Sequence, residues 1–410
     1  MKRVNTILIV TLLAVVIVES KGQRQTAIND LITVDVTKSY NTKKELILQD
    51  FMDVEYIVLE TNDEFLNQGV VMDVGKKFII VRNKINDGDI FVYDRMGNAL
   101  RIINHKGQQT DKEYTNIIDI TLDEDNNEMF VNDPYTRRFL VYDLYGNFKR
   151  SFKYNFGKLT TLKSTENQFY NSVINYDKDN LICYIQNNEE GKAFVLISKK
   201  DGSITHEMII PYKEKISVRI ISRGPTTQVG PNQYYTTATG VTPGRYRNIV
   251  LFKGNWMLLD LSSDTVYTFM PDYSLRPSFV RTPSIQSMNQ RIFLLLSFFS
   301  DRYFFMETMT MEYDLKTRTG FPKTPFMYDR QEKVFLKYTV YNGDYSTKKE
   351  INMGSLRPVN HEIESLQVLE AYQLVESYKK GELKDGKLKE IASKLDEEDN
   401  PVIMLVKHKK

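Results

Sequence analysis

The sequence predicts an all-β fold: a six-bladed β-propeller of four-stranded antiparallel blades, with a short helical excursion near the C-terminus and a closing strand shared between the chain ends. Three observations point there. The stretch "IFVYDRMGNALRII" at Ile90 returns forty-nine residues later as "FLVYDLYGNFKRSF" at Phe139. Strand-like runs dominate to about residue 351, with no alternating long helices that would indicate a parallel sheet. The final apolar run, residues 402–406, follows two helical stretches and needs a strand partner, and residues 54–60 offer one.

Each copy of the repeat reads as strand, tight turn, strand. "IFVYD" and "FLVYD" are β-branched and aromatic, which suits a pleated sheet. The Gly-Asn pairs Gly97-Asn98 and Gly146-Asn147 tolerate positive φ and mark the turn. A second hairpin lies upstream of each copy, so one unit is four strands. The period matches the roughly 40–50 residues of a propeller blade. A third unit covers "FYNSVINYDKDNLICYIQ" and "AFVLISKKDGSITHEM", and a fourth starts at Asn248. A fifth contains "RYFFMETMTMEYDLKTRTGF", with Tyr313-Asp314 at the place of Tyr93-Asp94. The sixth combines the two chain ends, which removes open sheet edges.

Between residues 360 and 397 the pattern becomes helical. Asn360 is a suitable cap, with Glu362 and Glu364 in the first turn. Ile363, Leu366, Leu369, Tyr372 and Val375 follow at helical spacing, and Leu388, Ile391, Ala392 and Leu395 mark a second helix.

The N-terminus has Lys2 and Arg3, an apolar run over residues 7–18, and a small-residue exit. This describes a secretory signal over residues 1–22, followed by one domain over residues 23–410. The run is shorter than the roughly 20 apolar residues of a bilayer span, so no stable membrane span is expected after cleavage. No cysteine sits near the exit, so a lipid anchor is not expected. The expected location is the periplasm or the extracellular space. Cys183 is the sole cysteine and excludes an internal disulfide; its setting in "NLICYIQ" suits a buried strand residue. Without the signal's Lys2, Arg3, Lys21 and Glu19, basic and acidic residues balance. A neutral chain argues against nucleic acid, which calls for a basic patch.

The phrases "YIVLETNDEFLNQG" and "FVYDRMGN", with the ending "EEDNPVIMLVKHK", resemble the exported six-bladed β-propeller proteins of Bacteroides-type bacteria, grouped with TolB-like and NHL-like propellers. The resemblance covers nearly the whole mature chain. It rests on strand–turn phrases and the ending, and it implies export and the propeller fold. Members are mostly of unknown activity, so no functional residues carry over. Many are lipoproteins, from which this chain departs by lacking the cysteine.

Motifs for chemistry are sparse. Asp123, Asp125 and Asn127 open like a calcium loop but lack its glycine and distal glutamate. Asp177 and Asp179 recur at the matching place of the next unit, which reads as a shared hairpin turn. His105, His206, His361 and His408 have no metal-ligand spacing. No metal and no cofactor is expected. Residues 217–248 form an insert with no acidic residue, holding Arg219, Arg223, Arg245, Arg247, Tyr234, Tyr235 and Tyr246. Arginine forks bind carboxylates and aromatic faces stack on sugars or side chains. Arg223, Tyr235 and Arg245 are therefore the candidate ligand contacts, at the channel mouth. The competing reading makes "QYYTTATGV" an inner strand of the fourth blade. The expected function is a non-catalytic, monomeric binding or scaffold module for a glycan, peptide or partner protein. The alternative is a carbohydrate-active hydrolase or lyase with a carboxylate pair at the channel mouth.

Overall fold

The computed structural model describes residues 31–156, 169–186, 191–244, 246–359 and 365–409. The expected signal segment 1–22, Arg245 and the Asn360 cap with Glu362, Ile363 and Glu364 lie outside these.

Among the described residues the chain is all-β apart from short helices, with six sheets of four or more strands. The first runs Val70–Val74, Phe78–Arg82, Ile90–Asp94, Ala99–Ile103, each strand antiparallel to the next. The second repeats this over Asp119–Asp123, Glu128–Asp133, Arg138–Asp143 and Phe148–Lys153. The third has Phe169–Asn175, Asn180–Gln186, Phe194–Ser198 and Ile204–Met208. The fourth has Ile249–Phe252, Asn255–Leu258, Thr265–Phe269 and Leu275–Thr282. The fifth has Ile292–Phe299, Tyr303–Thr310, Lys323–Asp329 and Val334–Tyr341.

The sixth sheet joins the chain ends. Val402–His408 lies between Ser365–Leu369 and Met52–Val58, with Val54 opposite Val406 and Val58 opposite Val402. Arg357–Pro358 completes it. The expected pairing of residues 54–60 with the terminal strand is therefore observed.

The repeated phrase works as a turn device. Asp94 accepts hydrogen bonds from the backbone N–H of Met96 at 2.8 Å and Asn98 at 2.9 Å, and from the Asn98 amide at 2.7 Å. Asp143 does the same with Tyr145 and Asn147 at 2.9 and 2.8 Å. Gly97 has φ +92°, and a Cβ there would strike the Val58 carbonyl, so glycine is required on both counts. Tyr93 and Tyr142 are fully buried between sheets.

Three expectations need correction. Tyr313-Asp314 is not the fifth copy of the turn; it belongs to a two-residue side ribbon paired with Thr319–Gly320. The equivalent pair is Tyr328-Asp329, ending the third strand, where Asp329 accepts from the N–H of Gln331 and Glu332. The side ribbon is inserted ahead of that strand and displaces the count. Secondly, Leu366 and Leu369 are strand residues, opposite Leu405 and Val402. The helix starts only at Ala371 and runs to Lys379. Cross-strand pairing on two sides outweighed the helical spacing. The second helix, Lys387–Ala392, buries Leu388, Ile391 and Ala392 as expected. Thirdly, "QYYTTATGV" is no inner strand. Gln233–Val241 pairs only with Ile220–Gly230 in a separate two-stranded ribbon.

The N-terminal segment has a role that the sequence did not reveal. Ile32–Asp35 adds in parallel to the outer edge of the fourth sheet, and Lys43–Ile47 does so on the fifth.

Buried apolar clusters lie between neighbouring sheets. Ile80 and Val92 of the first meet Ile120 and Leu140 of the second. Val141 meets Cys183 and Val195 of the third, and Phe194 meets Trp256 and Phe269 of the fourth. Phe279 meets Phe299 and Phe304 of the fifth, and Phe305 meets Met404 and Val406 of the sixth. Ile403 and Leu405 then pack on Ile79 and Phe91 of the first.

Candidate functional site

The first strands of all six sheets line one cavity of about 390 Å³. Its charged lining is mixed: Asp73, Asp119 and Glu307 against Arg247, Arg357 and Lys323. Tyr246 and Trp256 add aromatic surface. This is both a carboxylate pair from neighbouring strands and an arginine-and-aromatic wall, the two features that separate catalysis from binding.

The charges also tie the inner strands together. Asp73 sits at a bulge in the first strand of its sheet. It accepts hydrogen bonds from Leu122 N of the second sheet and from Val74 N, both at 2.8 Å. Arg357, from the sixth sheet, donates to the carbonyls of Val71 and Met72 of the first and stands 3.7 Å from Asp119 of the second. The Thr121 hydroxyl donates to the Val173 carbonyl of the third sheet at 3.0 Å. Arg247 donates to the carbonyls of Ser297 in the fifth sheet and Gly354. Glu307 pairs with Lys323 at 3.3 Å.

Burial pushes the Asp73 carboxyl up to about 7, and Asp119 adds to this, against the pull of its two backbone donors and Arg357. Asp73 keeps some accessible area because it faces the cavity, but protein surrounds it. Burial likewise pushes the Tyr246 phenol up to about 12. Among the described residues no group of histidine, cysteine, aspartate and glutamate could hold a metal. Asp123 instead forms a buried pair with Lys199 at 2.5 Å, and Asp177 caps its own turn. Cys183 is buried, which raises its thiol pKa. His105 stacks on Tyr142 with ring centroids 4.9 Å apart.

Of the candidate contacts from the sequence, Arg245 lies outside the described residues, and Arg223 and Tyr235 are not on one face. Arg223 faces Ala238 across the ribbon and Thr227 faces Tyr235. Residues 235 and 238 are three apart on one regular strand, so Arg223 and Tyr235 point to opposite faces. Neither lines the cavity. Tyr246 and Arg247, at the insert's C-terminal root, do. Asp73 and Asp119 were missed, although each interrupts an apolar strand-forming run, which is the sequence signal for a functional or bonded buried acid.

Among the described residues no helix is long and apolar enough to cross a membrane. Similarity to solved structures is low in sequence and broad in coverage. A Bacteroides fragilis protein described as exported aligns at 15% identity and TM-score 0.54, over 93% of this chain and 100% of its own. A member of the DUF4221 family from Bacteroides vulgatus aligns at 9% identity and TM-score 0.45, over 88% and 99%. Virginiamycin B lyase from Staphylococcus aureus aligns at 9% identity and TM-score 0.30, over 72% and 94%. No curated protein matches. The family described as Domain of unknown function (DUF4934) matches residues 31–407, and the chain belongs to that family.

Proposed function

We propose that the chain is an exported, monomeric six-bladed β-propeller that binds a short glycan or peptide in its central cavity without transforming it. The carrying observation is the cavity itself: six inner strands converge on a chamber with both signs of charge, a tryptophan and a tyrosine. Small-molecule sites are typically concave, with a few convergent polar groups. A ring of six blades is supported by apolar clusters that link each sheet to the next and the sixth back to the first. Export is supported by the signal-like start, Lys2 and Arg3 followed by the apolar run over residues 7–18. A binding role is favoured because Asp73, Arg357 and Arg247 are engaged with main-chain groups that hold the strands.

The thermal-shift response of residues 23–410 to short oligosaccharides and peptides tests this. A ligand should raise the melting temperature of the parent but not of Ser355→Trp, which plugs the cavity at an exposed lining position. The ligand should be recovered unchanged by mass spectrometry. Equal binding by the plugged variant would sink the cavity assignment.

A second reading has its own observation. Asp73 and Asp119 share the cavity, and the Asp73 carboxyl lies near 7, a range suited to general acid–base work. In that case the protein is a carbohydrate-active hydrolase or lyase. Cleavage of an oligosaccharide that disappears in Asp73→Asn would establish it.

A further inference from the structure

Outside the cavity, the ribbon formed by Ile220–Gly230 and Gln233–Val241 carries an ordered row of side chains on one face. Residues 234, 236, 238 and 240 alternate with 235, 239 and 241, and the bulges lie on the partner strand, so the even positions share a face. At position 240 a glycine leaves room for the Arg219 guanidinium; a Cβ there would collide with it. Arg223 stands opposite Ala238. The hydroxyls of Thr226 and Thr236, themselves opposite, hydrogen-bond at 2.7 Å. Tyr234 ends the row, 66% exposed. Successive steps of two residues are about 7 Å apart, which gives a line across one face of the ribbon: the Arg219 and Arg223 guanidinium groups from the first-strand side, the Thr226–Thr236 hydroxyl pair and the Tyr234 ring on the second strand, with the exposed Ile221 opposite Gly240 on the same face.

We propose that this face binds an extended acidic polysaccharide, with Arg219 and Arg223 on its carboxylates and Tyr234 stacked on a sugar ring. Charge selects the ligand: residues 217–248 contain four arginines and no acidic residue, so nothing on the insert repels an anion or competes for the guanidinium forks. A guanidinium matches a carboxylate in paired hydrogen bonds, and a tyrosine presents a flat apolar surface with a polar tip. A linear row suits an extended chain better than a globular partner. The two-residue turn of the ribbon, Pro231 and Asn232, carries no large apolar side chain, while Val229, Tyr234 and Tyr235 beside it are exposed, so vesicles are included as the competing surface in the test. The site is separate from the cavity and stands or falls independently of it.

Binding of residues 23–410 to polygalacturonate, dextran and phosphatidylglycerol vesicles tests the proposal, by affinity electrophoresis and calorimetry. The parent should bind polygalacturonate, more weakly as salt rises, and bind neither dextran nor vesicles. Arg219→Ala with Arg223→Ala, and separately Tyr234→Ala, should each weaken binding by about tenfold or more. Tyr235→Ala, on the other face, should bind as the parent does. All these positions are exposed, so melting temperatures should stay within about a degree. Failure of the parent to bind polygalacturonate overturns the proposal, as does equal binding to dextran or vesicles. An equal loss in Tyr235→Ala overturns the one-face assignment.

Discussion

Asp73 shows how one side chain balances opposed effects. Burial and Asp119 favour its neutral form, while Leu122 N, Val74 N and Arg357 favour the anion, and burial prevails, leaving it near 7. An unfolded aspartate titrates near 3.9. Between about pH 4 and pH 7 the folded state therefore holds a proton that the unfolded state has released. Stability falls across that window as pH rises and levels off above it. The melting temperature of the parent should drop between pH 5 and pH 7.5, and Asp73→Asn should lessen that drop by about 2 °C or more. Identical pH profiles would mean that Asp73 is ionised throughout. The residue-level turn chemistry was legible: Asp94, Gly97 and Asn98 act through neighbours within four positions, so the local string contains the whole device. The pairing of Asp73 with Leu122 spans two sheets and leaves no local trace beyond an acid in an apolar run.

Among elements, Val402–His408 is the most exposed to loss. Val402, Ile403, Met404, Leu405 and Val406 are all completely buried, and the strand has partners on both sides. Each buried apolar side chain is worth about 1.5–3 kcal/mol, against a typical total stability of about 5–15 kcal/mol. Truncation before Pro401 should abolish cooperative melting of the entire chain; a parent-like melting curve would contradict the strand's central role. The N-terminal strand Ile32–Asp35 should matter less. It inserts Ile32 and Val34 into the cluster between the fourth and fifth sheets and covers a sheet edge. Deleting residues 31–38 should lower stability by about 2–5 kcal/mol and, because an open edge recruits other strands, produce oligomers detectable by light scattering. A monodisperse deletion variant with unchanged melting would show that the edge needs no cover. This segment escaped the sequence reading because "LITVDV" resembles any short strand, and nothing in it specifies a parallel partner some 250 residues away.

For the whole molecule, the decisive property is that each sheet shares buried apolar surface with two others. An open array of repeats can unfold from its ends, because each repeat depends only on its neighbours. In the proposed ring, sheets linked first to last have no such end. Calorimetry should show one transition with equal calorimetric and van't Hoff enthalpies; two separated transitions would show that the sixth sheet is not coupled to the first.

The sequence by itself determined the all-β class, the four-strand unit, its Asp–Gly–Asn turns and the pairing of residues 54–60 with the terminal strand. These follow from side-chain alternation and turn stereochemistry, which act over a few residues, and from the need of an isolated apolar strand for a partner. Tertiary structure alone decided where Leu366 and Leu369 belong, since helical spacing was overridden by strands on both sides. It alone brought Asp73, Asp119 and Arg357 to one cavity from three sheets. It also separated Arg223 from Tyr235 and put Arg223 with Tyr234 instead. Composition can mark an insert as rich in arginine and tyrosine, but the face on which each side chain stands depends on cross-strand register, set by hydrogen bonds between residues that the linear order keeps apart.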